Sequence, residues 1–547
     1  MRRNVLAAAT LCLAGIIGPR SILAQGEDAV PLRAGSFRFS FGAQWWQATE
    51  RFGAPNPNRP LVVDGTRELL GIDYSSDSLG TIQLPFLLPY QTQLRGLTGL
   101  GTYALNLGRS QLTLNASVRH QPIRLTWAPS RRLGFTVSVP IVRTRMSAFL
   151  RGPDTTAKSR GNVGFNTEFL APGSQDAFRF QSDSALLALQ TQATSGPASL
   201  RAQAQAELAA LQPLLCGLST LATASGSDQA SPCFVAGADP YSVLLPVVGS
   251  AAADSITKRL ASGQSSYTTL RAQYAAQGVT IPALNAPYVL PATPLDSSDL
   301  RHFFSAPTGP LAGDSLTEVV RTGIGDIEVG GWFQVADGAR LRSQLGLMVR
   351  LPTGTMDSPD NFIDIGTGDH QTDVEVALRN DLVLSRYLWL HVGGLYGVQL
   401  ADQLTRRVAP WYLPLAPASS RATVTRDLGD YFAVDLVPNL QLDDAIGFGI
   451  GWHYFHQGAT TYQYVNAADQ AQIGSAADVL GQATSVSRMR VGAGVTFSTL
   501  ERYVRGHARL PYRITWSYNA TFWGEGGQVP KAGVMSVKIE AYFGNLR

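Results

Sequence analysis

Residues 537–543 read Val-Lys-Ile-Glu-Ala-Tyr-Phe, and this stretch near the C-terminus decides the fold. Apolar side chains at 537, 539, 541 and 543 alternate with Lys538, Glu540 and Tyr542. Because successive side chains of a strand point to opposite faces, one face of this segment is apolar and the other is polar. A strand with one face in lipid and one facing a polar interior has this pattern, which predicts a transmembrane β-barrel.

The composition of the chain favours the same fold class. Only 15% of the 547 residues are charged, against roughly 25% in soluble proteins. After the first twenty-odd residues, no apolar run is long enough to cross a bilayer as a helix. A membrane-spanning chain must then use strands, since only helices and closed barrels satisfy the backbone in lipid. The net charge of +4 is spread out without a basic block, so no nucleic acid partner is expected.

The N-terminus has the features of an export signal. Arg2 and Arg3 precede an apolar stretch over 5–17, and Ala24 provides a small residue before a cut ahead of Gln25. Residues 1–24 are therefore predicted to be a signal peptide, and 25–547 to form a barrel in the cell outer membrane of a Gram-negative bacterium.

Two cysteines, Cys216 and Cys233, remain in the predicted mature chain. An exported protein matures in an oxidising compartment, so a local disulfide between them is one interpretation. Two unpaired thiols buried in a helical insert are the alternative. No histidine lies near them in sequence, and the chain offers no metal site and no cofactor motif.

Apolar residues recur at every second position in about twelve segments, an even number, as bacterial barrels require. In one of them the parity changes near Gln121–Pro122, which predicts a β-bulge there. The twelve segments lie at 37–45, 112–127, 135–141, 327–333, 345–349, 374–384, 388–398, 432–436, 448–454, 491–497, 514–522 and 537–543.

Short and long connections alternate between these segments. Barrels of this class have short periplasmic turns and long extracellular loops, so every short turn is predicted inside and every long loop outside. The loop 151–318 differs from the others, because it has helical periodicity around Leu211 and again around Tyr267. It is predicted to be a helical insert in one extracellular loop that occludes the pore; a small independent exposed domain is the alternative.

Three short stretches carry a family resemblance. They are Leu-Gly-Phe-Thr-Val-Ser-Val-Pro-Ile-Val-Arg at 133–143, Gly-Ile-Gly-Asp-Ile at 323–327, and Gly-Leu-Met-Val-Arg-Leu-Pro-Thr-Gly at 346–354 with Gly-Thr-Gly at 366–368. The chain resembles, over about 112–150 and 320–543, the outer-membrane proteins grouped under the MetA pathway of phenol degradation, which look related to FadL-type channels. The resemblance implies a porin-like channel for passive uptake or exchange of small hydrophobic or aromatic compounds.

Charged residues with the parity of the interior are the main candidates for function. They either line a solute path and set its polarity, or form salt bridges that hold the barrel together. The candidates are Arg342, Arg350, Asp373, Glu375, Arg379, Asp381, His391, Asp435, Arg488, Arg490 and Arg513.

Aromatic and basic residues supply two smaller hypotheses. Trp332 and Trp389 have interior parity and are possible stacking surfaces for an aromatic solute, whereas an interfacial aromatic girdle explains most other tryptophans. Arg143 and Arg145 continue an outward parity beyond the apolar stretch of their strand. They are possible contacts for lipopolysaccharide phosphates, or simply a solvated strand end.

The sequence contains neither a G-x-S-x-G nor an H-E-x-x-H motif, so an outer-membrane lipid hydrolase is disfavoured and no enzymatic activity is predicted. The partners predicted for a transporter are outer-membrane lipid and lipopolysaccharide, a small hydrophobic solute and the barrel assembly machinery. The alternative is a structural or surface-interaction barrel, whose insert binds a partner and whose lumen is closed.

Overall fold

The computed structural model describes residues 32–153, 159–171, 173–219, 232–233, 243–306, 311–314, 316–544 and 546. The predicted signal peptide 1–24 lies outside the described residues.

Strands dominate the described chain, and they are numbered here in chain order. They are β1 (Ser36–Ala48), β2 (Glu50–Phe52), β3 (Arg67–Leu69), β4 (Gln111–Ala128), β5 (Leu133–Arg151), β6 (Val163–Phe165), β7 (Leu244–Pro246), β8 (Val319–Ile324), β9 (Ile327–Asp337), β10 (Leu341–Leu351), β11 (Asp373–Val383), β12 (Leu388–Gln399), β13 (Asp402–Arg407), β14 (Arg421–Asp427), β15 (Tyr431–Gln441), β16 (Ile446–Gln457), β17 (Thr461–Tyr464), β18 (Val486–Ser498), β19 (Tyr512–Gly526), β20 (Val529–Pro530) and β21 (Gly533–Phe543).

Twelve of these strands close into one antiparallel barrel. Around the wall the order is β4, β1, β21, β19, β18, β16, β15, β12, β11, β10, β9 and β5, and β5 pairs back onto β4. The last strand lies against the first, with Phe41 opposite Ile539. The prediction of an antiparallel barrel of about twelve strands is confirmed.

The outer face of the barrel is an apolar belt. On β21 the exposed large side chains include Ile539 and Phe543, while the intervening Glu540 is fully buried. The same alternation places Val137 on the outside of β5 and Ser138 on the inside. Such a belt around a closed wall, whose backbone groups are paired strand to strand, is suited to lipid.

Strand β4 runs in one register along its whole length, so the predicted bulge at Gln121–Pro122 is wrong. Phe41 pairs with Ile123 and Gln44 pairs with His120, which leaves no extra residue on either strand. Instead, the polarity of the two faces inverts near Pro122. Leu114, on the inner face of the upper part, is 1% exposed, whereas Leu125, on the outer face of the lower part, is 50% exposed.

The wall is interrupted once, between β8 and β9. Both strands pair with β5, Ile324 opposite Ile141 and Glu328 opposite Ser138. From Ile141 to Ser138 the chain of β5 advances by three residues, whereas its partner advances by four, from Ile324 to Glu328. Gly325 and Asp326 lie between the two partner strands. Strand β10 pairs with β9 only up to Ile327, so it does not continue along β8.

The barrel has a turn end and a loop end. At the turn end, β4–β5, β9–β10, β11–β12 and β15–β16 are joined by short turns, whereas the segment between β18 and β19 contains helix α8 (Leu500–Val504). At the loop end the connections are longer, except that only 527–532 separate β19 from β21. A small sheet of β13, β14 and β17 forms within the loops, around buried Leu404, Val424 and Tyr462.

A second compact unit comprises 75–111 and 151–302. Its helices are α1 (Leu88–Thr98), α2 (Thr167–Leu170), α3 (Asp176–Ser195), α4 (Arg201–Ser219), α5 (Ala251–Ala276) and the first part of α6 (Ser297–Ser305), as far as His302. Helix α7 (Ala467–Ile473) belongs to the barrel unit. Leu186, Leu211, Leu215, Tyr267 and Tyr274 are buried within the second unit. Cys216 and Cys233 are joined there by a disulfide, with their Cα atoms 4.9 Å apart. Among the described residues, no helix is both long and apolar enough to cross a membrane.

Candidate functional site

The inner face of the barrel carries charged residues at several levels. All eleven predicted interior residues lie on barrel strands and are buried or partly buried. The structure groups them into separate clusters rather than one continuous row. We take the clusters in turn, beginning with the most deeply buried.

Arg350 is the centre of the first cluster. Its Nη1 donates to Asp373 Oδ2 at 2.7 Å and its Nη2 to Glu375 Oε1 at 3.0 Å. The hydroxyl of Tyr431 donates to both carboxylates, and Gln399 Nε2 donates to Asp373 Oδ1 at 3.2 Å. A buried arginine with two carboxylates and further donors satisfies most of the hydrogen-bonding groups it takes out of water. This cluster therefore holds β10, β11 and β15 together from the inside.

Glu540 is the centre of the second cluster, on the other side of the lumen. Three cations surround this one buried carboxylate: Lys538 Nζ at 2.9 Å, Arg513 Nη1 at 3.6 Å and Arg38 Nη1 at 3.7 Å. Arg38 lies on β1, Arg513 on β19, and Lys538 and Glu540 on β21, so this cluster joins three neighbouring strands from the inside.

Two histidine–aspartate pairs lie at other levels of the lumen. His391 Nδ1 is 2.7 Å from Asp381 Oδ1, and His453 Nδ1 is 2.7 Å from Asp435 Oδ1. His456 lies on the opposite face of the same strand as His453, where it contacts the Ser487 hydroxyl. In the part of the chain that the structure describes, no group of three His, Cys, Asp or Glu residues could hold a metal ion.

The remaining candidate arginines have different surroundings. Arg488 lies over the ring of Phe455, with its guanidinium carbon 4.5 Å from the ring centre. Arg490 donates from Nε to the Thr521 hydroxyl at 3.2 Å. Arg342 lies near the turn end, opposite Asp381 in the register, and is partly exposed.

A cavity opens inside the barrel next to Trp332. Apolar surface comes from Trp332, Met348, Ala377 and Leu395, and polar surface from Arg38, Arg124, Thr126, Thr136, Gln344, Glu375 and Arg379. The cavity therefore combines an indole ring with several guanidinium groups, a lining that suits an amphipathic solute. Of these lining residues, the alternation of apolar and polar positions in the sequence predicted Arg379, Glu375 and Trp332.

The position of the Trp332 ring depends on Gly134 of the neighbouring strand. A Cβ atom on Gly134 would stand 2.3 Å from the ring carbon Cε2, far inside van der Waals contact. Glycine at 134 thus provides the space that the indole occupies. Trp389, the other predicted stacking residue, lies near the turn end opposite Val383 and does not line the cavity.

An apolar cluster lies at the turn end, beneath the cavity. It consists of Leu32, Ala128, Trp332, Tyr542 and Leu546, with Leu500 and Tyr503 of α8 packed against it. Residues from both ends of the described chain therefore meet inside the barrel. Leu32 and Trp332 belong to the cluster and also line the cavity, so these two residues connect the two regions.

The family-like motifs meet at the loop end, beside the break between β8 and β9. The Asp326 carboxylate accepts the backbone N–H of Gly354 at 2.8 Å and of Asp369 at 3.0 Å. The Thr367 hydroxyl donates to the carbonyl of Ile324 at 3.0 Å. These contacts fasten loop 352–372 against the interrupted wall. The resemblance motifs are thus neighbours in space because they build one structural junction.

Much of the interior is closed to water. The side chains of Ser138, Asp373, Ser517, Ser536 and Glu540 are buried although they face the lumen. A twelve-stranded barrel stands between eight strands, which side chains fill, and sixteen, which leave a water-filled channel. At these levels, side chains therefore fill much of the lumen.

Arg143 and Arg145 project from the outer face of β5 near the loop end, and both are exposed. Arg145 Nη2 donates to Glu318 Oε2 at 2.7 Å. This hydrogen bond from Arg145 lowers the pKa of Glu318. One of the two guanidinium groups thus has a carboxylate partner within the barrel unit.

Several lining residues were missed by sequence reasoning. Arg38 follows from the parity of β1, since Phe37, Phe39 and Phe41 point outward. Arg124 follows from the outward Ile123 and Leu125 on either side of it, and Glu328 of β9 lies 3.4 Å from it. In the loops, Arg51 Nη1 donates a hydrogen bond to Gln528 Oε1, although the two residues are 477 positions apart in the sequence. No local pattern identifies a contact of that kind.

No protein-family model and no curated protein sequence matches the chain. Similar solved structures include an outer membrane channel from Pseudomonas putida F1, with 8% identity, TM-score 0.41, and 94% of this chain and 98% of that chain covered. The P. putida toluene transporter TodX has 9% identity and TM-score 0.28, covering 94% and 91%. A Pseudomonas aeruginosa FadL homologue has 6% identity and TM-score 0.27, covering 93% and 90%. The assignment of the fold as a closed barrel rests on the strand pairings described above and not on these similarities.

Proposed function

We propose that this chain is an outer-membrane channel for passive uptake or exchange of small hydrophobic or aromatic compounds. The observation that carries the proposal is the cavity beside Trp332, inside a closed barrel with an apolar outer belt. Its lining, which is apolar on one side and cationic on the other, suits a small ring compound better than an ion stream or a large polar solute. The turn end then faces the periplasm, and the loop end faces outward.

In this proposal the solute passes through the lumen and stops at the cavity. Trp332 offers a flat apolar surface on which an aromatic ring can stack, and Met348 and Leu395 complete the apolar side. The neighbouring charged clusters hold the wall in place and set the polarity of the route. Because most of the interior is packed, passage requires local side-chain movement rather than diffusion through an open pore.

Filling the cavity tests the proposal. Ala377 lines it, whereas the adjacent Val376 points to the outside of the same strand. We expect Ala377→Phe to reduce uptake of a radiolabelled aromatic compound by a porin-deficient host to the level of empty cells. Val376→Phe, which adds the same type of ring on the lipid side, should retain uptake. Equal uptake by both variants, at equal amounts of folded barrel, would contradict a route through this cavity.

The burial of inward side chains such as Ser517 and Ser536 favours one other function, a surface-interaction barrel with a closed lumen. In that case the helical unit would bind a partner and no solute would cross. Absence of uptake by the folded parent protein, compared with empty cells, is the result that would favour it.

A further inference from the structure

We propose that one half of the rim at the turn end of the barrel is a docking surface for the headgroups of anionic phospholipids. This inference goes beyond the proposed function, because it concerns the membrane around the barrel and not the solute. The surface is called the basic rim here, and it consists of Arg131, Arg132, Arg340 and Arg386. All four residues are exposed.

The arginines of the basic rim lie on three neighbouring hairpin turns. Arg132 directly precedes β5, Arg340 directly precedes β10, and Arg386 lies in the turn before β12. Backbone hydrogen bonds join these segments side by side. The Gln334 N–H donates to the Arg132 carbonyl at 2.8 Å, and the Val383 N–H donates to the Arg340 carbonyl at 2.9 Å. The basic rim is therefore one continuous stretch of the barrel end.

The positive charge of the basic rim is not balanced by its own turns. Asp337, the last residue of β9, is the carboxylate that these turns contribute. Within the part of the chain that the structure describes, none of the four arginines forms an ion pair. One carboxylate cannot balance four guanidinium groups, so this half of the rim attracts anions.

The other half of the rim consists mostly of ion pairs. Arg505 donates to Asp444 at 2.6 Å and to Glu501 at 2.8 Å, and Arg502 lies 3.6 Å from Asp443. These residues belong to the turn between β15 and β16 and to the segment between β18 and β19. The two halves therefore differ in charge although both lie at the turn end.

Apolar side chains beside the arginines indicate that the anion is a lipid headgroup. Leu341, next to Arg340, is 41% exposed, and Leu384, in the same turn as Arg386, is 65% exposed. The guanidinium carbon of Arg386 lies 4.4 Å from the centre of the Tyr387 ring. Basic and aromatic side chains of this kind are found where a membrane meets water. A free ion or an acidic protein surface would not require the exposed leucines.

The chemistry of the headgroup follows from the donors. A guanidinium group can donate two parallel hydrogen bonds to the oxygens of a phosphate, and each arginine close to an anionic membrane surface strengthens the attraction. With the turn end in the periplasm, the lipids within reach are the phospholipids of the inner leaflet. The basic rim should therefore concentrate an anionic phospholipid such as phosphatidylglycerol over the zwitterionic phosphatidylcholine.

Quenching by brominated lipids measures which headgroup collects at each half of the rim. A single cysteine replaces either Leu341, beside the basic rim, or Phe497, on the outer face of β18 in the other half, and carries a fluorophore in the full-length protein. Phosphatidylcholine vesicles then receive brominated phosphatidylglycerol or brominated phosphatidylcholine. At position 341 we expect half-maximal quenching at an about fivefold lower fraction of the anionic lipid, the effect of one arginine near such a surface. At position 497 the two lipids should quench alike.

Two double variants locate the effect. Arg340→Gln combined with Arg386→Gln should make the two lipids equal quenchers at position 341, because the nearest guanidinium groups are removed. Arg502→Gln combined with Arg505→Gln removes the same charge from the ion-paired half and should keep the fivefold preference. All four positions are exposed, so both variants should fold, and the change in gel migration on boiling checks that they do.

The outcomes decide the inference without touching the proposed uptake, which Ala377→Phe tests separately. A preference lost only in the Arg340→Gln and Arg386→Gln variant supports docking at the basic rim. Equal quenching by both lipids at position 341 of the parent, or an equal loss in both double variants, would overturn it. If inorganic phosphate removes the preference while chloride of the same ionic strength leaves it, the rim binds free phosphate and the assignment to lipid is wrong.

Discussion

The two ends of strand β4 have opposite polarity on the same backbone. In the lower part, Ile123, Leu125 and Trp127 point outward and Arg124 and Thr126 point inward. In the upper part the apolar residues lie on the inner face instead, at Leu112, Leu114, Ala116 and Val118. The lower part is arranged like a wall in lipid, and the upper part like the edge of a water-soluble protein.

The difference marks where the membrane ends. Strand β4 has 18 residues, about 60 Å along the strand at roughly 3.3 Å per residue. A transmembrane strand tilted by about 45° needs only about 9–11 residues to cross the bilayer. The wall at β4 and β5 therefore extends well beyond the belt, and the inversion near Pro122 is the expected place of the lipid–water boundary.

The largest effect is expected for a charge on the inner face of the upper part. Leu114→Arg places a guanidinium group in a site that is 1% exposed, which should lower the free energy of unfolding by about 5 kcal/mol or more. Thr113→Arg, on the outer face next to it, should change it by less than about 0.5 kcal/mol. Denaturant titrations in lipid vesicles measure both. Equal losses would show that the upper part faces lipid.

The next effect concerns the interior of the lower part. Arg350→Met leaves Asp373 and Glu375 buried without their arginine, which should cost about 3–5 kcal/mol of stability. Loss of the Arg131 charge in the exposed turn, by Arg131→Met, should cost little. A stability of Arg350→Met close to that of the parent would mean that this cluster does not hold the wall.

A charge placed on the outer, lipid-facing side of the barrel should lower the stability by a smaller amount. Val137→Arg places a charge on the lipid face and should cost about 2–4 kcal/mol near the middle of the membrane. Ile450→Arg on the far side of the barrel should behave alike, since its side chain is also exposed on the outer face. If both variants unfold at the same denaturant concentration as the parent, the outer belt has been assigned to the wrong environment.

The smallest effect is expected at the rim, where Arg143 and Arg145 project. Replacing both with Gln should lower stability by about 0–1 kcal/mol in detergent, as for exposed ion pairs. The neighbouring Arg145 lowers the pKa of Glu318, so the contribution of this pair is present above the ordinary pKa of a glutamate and is lost as the pH falls through the lowered value. A larger loss in membranes that contain lipopolysaccharide would support phosphate contacts at these arginines.

The regular part of the fold could be predicted from sequence because lipid enforces strict alternation. The outward residues of β21, β16 and β5 were all identified in this way. The error at Gln121–Pro122 has a physical cause: a change of parity can reflect an inserted residue or a change of environment, and periodicity alone does not distinguish them. Only the register of β1 with β4 decided between the two.

The contacts within the candidate site were harder to predict from the sequence. Parity selected Arg350, Asp373 and Glu375 as inward residues, but it could not show that they form one cluster with Tyr431. The role of Asp326 depends on backbone N–H groups of a loop that carries no strand pattern. Segment 75–111 belongs to the same compact unit as 151–302. The periodicity of a short segment cannot predict that two segments so far apart in sequence belong together.

The helical unit remains proposed as a gate, and its boundaries define a sharper deletion. Arg407 bonds the carbonyls of Leu311 and Ala416, so the residues after 302 should be kept with the barrel. Removing 76–110 and 152–302 together, with short Gly/Ser linkers, should leave a folded barrel with raised conductance. A folded deletion variant that conducts like the parent would show that the unit does not occlude the pore.

Lipid accessibility along β4 tests most directly the claim that a lipid belt surrounds the cavity and ends near Pro122. Single cysteines at 113, 115, 117, 119, 123, 125 and 127 are labelled with a fluorophore, the native pair Cys216–Cys233 being joined in a disulfide. A lipid-soluble quencher should act strongly at 123, 125 and 127 and weakly at 113 to 119. Strong quenching that continues unchanged through 113 would contradict the account.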